Sequence, residues 1–414
     1  MAKRQWAVGL ENIDDDQNLD MAEVEKPEEA VESHLIEVEG LDQQVADLVD
    51  DGEELTGDTE QLEEYAEAVE KGAEDGGMDE TAARLVDIGV ESIAGKWGIK
   101  RTKIGAENFS GSMKAQSTKV ALESIGTTIK DMWKKFVAWL GEIIGKVKDF
   151  WLKYHNAGKS MKKRAEKLYQ RIDKGLGQKD KNEISGGWLK SLVVNGVPNP
   201  SFVIDAAANA GKSVTEMGRA IAVIVDDAGK VTGASGNITS NGAEQVAKLP
   251  MGEKTTKKLG ELLPSGAEKV QAIAIPGGAY LVTFERKGIS QVSYKSVGES
   301  VGDKKIATPD ESVMLKAVKA IEAYGDALET SLKEFRKANE GLKKLETAAK
   351  EASNKFDEAK AEGKADARQA LNVANAAVSS YTACQQAATS FLKNGGQGLI
   401  GYVTAGIGAY KKVS

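Results

Sequence analysis

Few residues in this sequence have the chemical types that an active site needs. The 414 residues include two histidines, His34 and His155, and a single cysteine, Cys384. Neither histidine belongs to a cluster of candidate ligands, and the cysteine lies in an alanine-rich segment that predicts a helix. Metal sites and Cys–His nucleophile pairs need several such side chains in a fixed arrangement. The sequence therefore predicts no catalysis, no metal and no cofactor.

One stretch is similar to a phosphate-binding loop. Residues 206–213, AAANAGKS, fit a relaxed form of that pattern, with Ala206 in place of the first glycine, and AIAVIVDD follows at residues 220–227. A phosphate loop is followed by a helix and then by a further strand of the sheet. Only six residues separate Ser213 from Ala220, which is too few for that helix. The segment therefore predicts a helix or a turn without nucleotide binding.

The charge of the chain changes sign at Glu107. Residues 1–107 hold 9 Lys/Arg and 31 Asp/Glu, a net charge of −22, whereas residues 108–414 hold 46 and 32, a net charge of +14. The basic excess is either an ordinary solvated surface or a surface that binds a polyanion once the acidic segment no longer screens it. The sequence contains no nucleic-acid recognition motif, so we expect any such binding to be nonspecific.

Residues 108–175 predict a long amphipathic helical region. Its apolar residues recur in alternating steps of three and four, which is typical of a seam along a helix. The bulky residues of one face are Trp133, Phe136, Trp139, Ile143, Phe150 and Trp151. Such a face can lie on a membrane surface or pack against other helices of the chain. We expect packing, because later helices supply partners and no apolar run reaches the roughly 18 residues of a membrane span.

The later segments predict an inserted module and further helices. Residues 176–302 contain Gly-rich, β-like runs, among them SLVVNG, PSFVID and AIAVIVDD, and a hairpin at Gly277–Gly278. Residues 303–393 predict an antiparallel helical hairpin whose first helix is capped by Thr308. Residues 394–414 predict a Gly-rich tail with a basic end.

The acidic segment, residues 1–107, is short of aromatic residues, which predicts disorder or weak helix. Near its end, a short amphipathic helix would carry Leu85, Ile88 and Ile93 on one side. The predicted fold is therefore mainly α: a long-helix bundle with an inserted small α+β module and a disordered or weakly helical acidic N-terminal segment.

A short stretch at the charge switch carries a further signal. Residues 101–112 read RTKIGAENFSGS, in which Gly105-Ala106-Glu107 is a small residue, any residue and a glutamate. The acidic segment lies before this stretch and the long helix after it. This layout resembles the internal head proteins of large tailed bacteriophages, particularly the giant myoviruses. The resemblance is closest over residues 85–175. The resemblance implies a non-enzymatic virion protein of the head interior that is made as a precursor.

The resemblance also implies a maturation step and a set of partners. In that family a prohead maturation protease removes an acidic propeptide by cutting after such a Glu, which here makes Asn108 the first residue of the body. The body stays with the packaged DNA, and some members are ejected with it. Expected partners are the protease, capsid or other inner head proteins, and DNA in nonspecific contact. The protein would lie in the host cytoplasm during assembly and afterwards in the virion.

The same cleavage pattern occurs at other places in the chain, and the position at the charge switch favours Glu107. Among the further junctions that match it are Ala30-Val31-Glu32, Ala68-Val69-Glu70, Gly72-Ala73-Glu74, Gly89-Val90-Glu91, Gly242-Ala243-Glu244 and Gly266-Ala267-Glu268. The upstream matches would also suit stepwise trimming, and folding should protect the two downstream ones.

Three other functions stay open at this point. The first is a membrane-active or channel-like ejected protein that uses the Trp-rich face. The second is a prohead scaffolding core protein that leaves the head. The third is an enzyme carried in the virion with residues 176–302 as its domain, which the scarcity of catalytic side chains disfavours.

Overall fold

The computed structural model describes residues 29–101, 113–231, 241–255, 263, 266–286, 288–297, 301, 304–358 and 361–411. The protein is mainly α, with long helices and a small sheet module, as the sequence predicts. The helices are α1 (Glu29–Glu74), α2 (Glu80–Lys96), α3 (Lys114–Asp173), α4 (Pro200–Ala207), α5 (Ala210–Val231), α6 (Asn241–Val246), α7 (Glu311–Glu358) and α8 (Ala361–Ile407). The strands are β1 (Glu183–Ile184), β2 (Val193–Val194), β3 (Val197–Pro198), β4 (Glu253–Lys254), β5 (Glu268–Ile275), β6 (Ala279–Arg286), β7 (Ile289–Ser296) and β8 (Ile306–Ala307).

Long helices dominate the packing. α3 packs against both α1 and α7, and α7 packs along α8. α3 and α7 run antiparallel, since Gly141 lies beside Glu346 whereas Gly158 lies beside Gly325. α7 places a buried residue at every seventh position: Ile321, Leu328, Phe335, Leu342 and Ala349. This spacing keeps one stripe of the helix facing its neighbours over its whole length.

α8 runs antiparallel to α7 and continues through the stretch that was predicted to be a tail. Tyr381 hydrogen-bonds Asn339, and further along Gly406 contacts Met314. The helix ends at Ile407 instead of residue 393. Its glycines face bulky side chains at close range: Gly395 at Tyr324, Gly396 at Met161, Gly398 at Leu192 and Gly401 at Trp188. Glycine weakens an isolated helix, but here the missing Cβ atoms let neighbouring elements approach, so packing outweighs propensity.

Two of the β-like runs are helical, which corrects the prediction. PSFVID lies in α4, where the Asn199 side chain accepts a hydrogen bond from the Phe202 N–H and Pro200 takes the first helical position. AIAVIVDD lies in α5. The buried apolar residues of α5 recur every three or four positions: Ala210, Val214, Met217, Ile221, Ile224, Val225 and Ala228. Helical spacing therefore outweighs the β-branched composition.

The sheet module consists of a four-stranded antiparallel sheet in the order β4–β5–β6–β7. The predicted hairpin joins β5 to β6, and Gly277 and Gly278 adopt φ values of +98° and +69°, which favour glycine. β7 lies against α8, where the Val292 N–H donates to Ser380 Oγ over 2.9 Å. The sheet, α5 and the long helices share one hydrophobic core.

The start of α7 differs from the predicted cap. The helix begins at Glu311, and the Met314 N–H donates to the Asp310 carbonyl. The Thr308 hydroxyl instead donates to the carbonyl of Lys181 over 2.7 Å. Thr308 therefore ties the segment before α7 to the segment after α3, next to the β1–β8 pair.

Candidate functional site

The acidic N-terminal segment contributes two helices, α1 and α2, to the described structure. α1 runs antiparallel to α3, because Lys146 on α3 donates to Gln44 near the beginning of α1, and the Met78 N–H after α1 donates to Thr118 Oγ1 near the beginning of α3. Glu60 on α1 also approaches Arg286 on β6 at 3.9 Å. The acidic segment is therefore packed onto the bundle between α3 and the sheet.

A narrow apolar seam joins α1 to the core. Large residues recur every seven positions along α1: Leu48, Leu55, Leu62 and Val69. Gly52, Thr59 and Ala66 alternate with them at steps of three and four and are also buried. Such alternation of large and small residues is typical of closely packed antiparallel helices. Hence α1 belongs to the hydrophobic core although its other faces are strongly acidic.

The Trp-rich face of α3 is buried within the protein. Trp133, Phe136, Trp139 and Ile143 each keep 3% or less of their surface exposed. The rings of Phe136 and Trp139 stack at a tilt with centroids 5.3 Å apart. Phe150 and Trp151, the other members of this face, also lie in α3, but the structure does not describe their side chains. Among the helices that the structure describes, none is long and apolar enough to cross a membrane.

The Trp139 side chain fixes the register between α1 and α3. Its indole Nε1–H donates to the Leu48 carbonyl over 2.6 Å. Its ring lies on Gly52, where an added Cβ would come within 2.1 Å of the indole. Glycine is thus required at this position in the middle of α1, because the Trp139 ring lies directly on the helix backbone. A side chain at this position would displace the tryptophan.

α2 presents a different face to the core from the one predicted. Ala83, Val86, Val90 and Ile93 are buried, whereas Leu85 and Ile88 are 65% and 57% exposed. The sequence predicted Leu85, Ile88 and Ile93 on one side of the helix, but of these three only Ile93 is buried, because the packing of α2 on its neighbours selects a different face. Leu85 and Ile88 consequently form an exposed apolar pair.

The end of α2 is held by polar contacts. Trp97 Nε1–H and Lys96 both donate to Asp58 of α1, over 2.7 and 2.6 Å. Burial by itself would lower the pKa of Lys96, but hydrogen bonds to Asp58 and Glu54 raise it above its ordinary value. Lys96 therefore stays charged and contributes to fixing α2 on α1.

The predicted cleavage residues Gly105, Ala106, Glu107 and Asn108 lie outside the described residues, in the connection between α2 and α3. Before the connection, Arg101 pairs with Asp87 at 2.6 Å and donates to Ser124 on α3. After it, the chain resumes at Met113, directly before α3. Ser124 and Met113 are about 17 Å apart along the helix at 1.5 Å per residue. Eleven residues, 102–112, join these two anchors.

The other predicted junctions of the cleavage pattern lie in regular structure. Four of them fall within α1 or α2 and one within α6, and the middle residues Val69, Val90 and Ala243 are buried. The junction ending at Glu268 leads into β5. Further matches lie inside α7 and were not among the predicted junctions. In one of them, Ala327-Leu328-Glu329, the first two residues are buried.

The cysteine and the phosphate-loop-like segment, which are the remaining candidates for chemistry, are parts of the helical packing. Cys384 is buried in α8, and burial raises the pKa of its thiol. The phosphate-loop-like segment spans the turn between α4 and α5, and Lys212 there faces Glu216 one turn later. Within the described ranges, no group of three or more His, Cys, Asp or Glu side chains is arranged to hold a metal ion. The side chains of His34 and His155 are not among those that the structure describes.

A family comparison defines the class of protein, a structural protein of the phage head interior. Residues 12–405 match the family model of the phiKZ-like phage internal head proteins. The chain therefore belongs to this family, which confirms the resemblance drawn from the sequence. No curated protein and no solved structure matches the chain.

Proposed function

We propose that this head protein is made as a precursor, is cut after Glu107 during prohead maturation, and remains with the packaged DNA as a body that begins at Asn108. Its role is structural, without catalysis, and its partners are the prohead protease, capsid or other inner head proteins, and DNA. The proposal is carried by the connection between α2 and α3, which contains the junction and divides the acidic helices from the rest of the chain.

The connection suits a protease substrate. Arg101 holds one end and α3 begins at the other, and a chain of eleven residues can extend over about 36–40 Å. A protease binds its substrate in an extended conformation, and eleven residues are enough to supply one. Cleavage at the junctions within α1 and α2 requires those helices to open first, which fits trimming after the cut at Glu107.

A single cut is not sufficient to change the charge of the body. The seam of α1 on α3, including the contact between Gly52 and Trp139, does not depend on the connection. The net charge changes from −8 to +14 only when the acidic helices leave α3. Cleavage and dissociation are therefore two separate steps in this proposal.

The Trp-rich face supports a second candidate, a membrane-active ejected protein. Departure of α1 would uncover Trp139 and its aromatic neighbours, and such a face binds at membrane interfaces. Leakage of liposomes by the cleaved chain, and its loss in Trp139→Glu, would favour this candidate. A scaffolding protein would share the cleavage but would be missing from mature particles.

The test is the intact mass and N-terminal sequence of the protein in purified particles. We expect an N-terminus at Asn108. Glu107→Gln should block this cut, whereas Glu91→Gln, which changes a residue within α2, should leave it in place. A full-length chain of 44.1 kDa in mature particles would overturn the proposed cleavage.

A further inference from the structure

The C-terminal third of α3 carries an exposed basic stripe. Lys163, Lys167, Arg171 and Lys174 follow one another at steps of four, four and three, which places them on one face of the helix, and all four are exposed. The opposite face is buried against the bundle through Met161, Ala165, Leu168 and Ile172. The stripe therefore lies on a supported helix and points away from the core.

The fold gathers further lysines from distant parts of the sequence at the same end of the molecule. The segment that follows α3 reaches the end of α8, where the Lys411 N–H donates to the Gln178 carbonyl and the Lys181 N–H to the Ala409 carbonyl. Pairing of β1 with β8 adds Lys304 and Lys305, which are exposed. Residues 156–184, 304–311 and 409–411 together hold twelve Lys/Arg and six Asp/Glu.

Some carboxylates at this end are already paired with lysines that lie off the stripe. Asp310 binds Lys179 at 2.6 Å, and Asp180 lies 3.9 Å from Lys411. By contrast, the described acidic helices, residues 29–101, hold 22 Asp/Glu and 5 Lys/Arg. The end where α3 and α8 finish and α7 begins thus carries a net charge of +6 on 40 residues, a larger share of the +14 of residues 108–414 than its length would give.

We propose that this basic end, built on Lys163, Arg171 and Lys174, is the surface that contacts the phosphate backbone of packaged DNA. From Lys163 to Lys174 the helix rises about 17 Å, a length over which one strand of duplex DNA carries about five phosphates. Lysine and arginine side chains on a straight helix can follow these phosphates without reading bases, so binding does not depend on sequence. The inference rests on the DNA contact in the proposed function and assigns its location.

The test compares two variants with equal changes of charge. The stripe variant carries Lys163→Gln, Arg171→Gln and Lys174→Gln. The control variant removes three exposed lysines from the middle of α7 by Lys333→Gln, Lys343→Gln and Lys344→Gln. Binding to short duplexes of two unrelated sequences is measured over a range of salt concentrations. Each protein is used as the full chain and as the same chain cut at a protease site introduced within residues 102–112, so every helix is present in both forms.

We expect the stripe variant to lose about 0.9 per removed contact from the slope of log K against log salt, or about 2.7 in all. Its affinity at low salt should fall by more than about tenfold, with both duplexes affected equally. The control variant should keep the slope and affinity of the unsubstituted chain. Circular dichroism that overlays for all three proteins shows that the folds are equal.

Two results would overturn the inference in distinguishable ways. Equal losses in the stripe and control variants would mean that the contact is spread over the surface, and the DNA contact itself would stand. Absence of binding by the unsubstituted chain, both full and cut, would overturn the location, because the basic end is exposed in both forms. An N-terminus at Asn108 in particles would leave the cleavage intact in either case.

Discussion

The two ends of α3 differ in what surrounds them, although one uninterrupted helix forms both. Near its beginning the helix packs Trp133, Phe136 and Trp139 beneath the acidic α1, and these side chains are almost completely buried. Near its end the helix buries Met161, Ala165, Leu168 and Ile172, none of which is aromatic. Its outer face there is basic and exposed. The first end depends on α1 for its burial, whereas the second packs against α7 and α8.

Under the proposed cleavage, this difference decides which part of the protein would change on departure of the acidic segment. Loss of α1 uncovers apolar surface at the first end and removes negative charge from the molecule as a whole. The second end keeps its packing, and Gly158 and Gly325 continue to bring α3 and α7 together. Substitutions at the two ends should therefore have effects of very different size.

The largest expected effect comes from Trp139→Ala. The substitution removes a buried indole and its hydrogen bond to the Leu48 carbonyl, so the free energy of unfolding should fall by about 3–5 kcal/mol. The matched control is Tyr169→Ala at the basic end, where the ring is 47% exposed, and its cost should stay below about 1 kcal/mol. Urea unfolding followed by far-UV circular dichroism measures both. Equal losses would contradict the difference between the ends.

A smaller effect is expected from Gly52→Ala. An alanine Cβ would lie 2.1 Å from the Trp139 ring, and the resulting overpacking should lower the free energy of unfolding by about 1–3 kcal/mol. Gly57→Ala is the control on the same helix, because nothing lies within 4 Å of its Cβ position. That change should stabilise the protein by about 0.5–1 kcal/mol through helix propensity. Stabilisation by both substitutions would show that α1 is not seated on Trp139.

At the basic end, the stripe variant described above should hardly change stability. Lys163, Arg171 and Lys174 are exposed, and surface substitutions of this kind usually stay within about 0.5 kcal/mol each. Thermal unfolding of the variant beside the unsubstituted chain measures this. A loss comparable to that of Trp139→Ala would mean that the stripe is part of the packing instead of a binding surface.

The smallest effect concerns Lys162, which joins α3 to α7. Hydrogen bonds to Glu329 and then to Asp326 raise the pKa of this lysine above its ordinary value of 10.5. A raised pKa stabilises the fold at pH values below 10.5, and the contribution is lost as pH rises through the higher pKa of the folded state. Lys162→Met should remove this part of the alkaline loss of stability. Unfolding curves of both proteins from neutral to alkaline pH measure it, and identical pH dependence would contradict it.

The sequence predicted those elements that have a regular spacing of apolar residues or a clear turn signal. The seam of α3, the heptad positions of α7 and the hairpin at Gly277–Gly278 follow directly from spacing and turn chemistry. The Gly-rich end of α8 was not predicted, because glycine becomes favourable in that helix through tertiary neighbours such as Trp188 and Tyr324, which the local sequence does not reveal. Likewise, Leu85 and Ile88 fit a helical period but lie outside, since the packing of α2 on its neighbours selects the face.

The candidate sites were predictable to different degrees. The charge switch and the junction at Glu107 are visible in the sequence. The seam of α1 was not predicted, because acidic residues occupy most of the positions between its buried residues. A signal was present in the steps of seven from Leu48 to Val69. The basic end was not predictable, because lysines near residues 174, 305 and 411 meet only through the antiparallel packing of α3, α7 and α8.

The central claim is that the acidic helices are removed from α3 as the head matures. The most direct measurement is the molar ratio of peptides from α1 to peptides from α3 in purified proheads and in mature particles, by quantitative mass spectrometry. The account predicts a ratio near one in proheads and a strongly reduced ratio in mature particles, together with a body that begins at Asn108. A ratio near one in mature particles would contradict it, because the acidic helices would then still cover the aromatic face of α3.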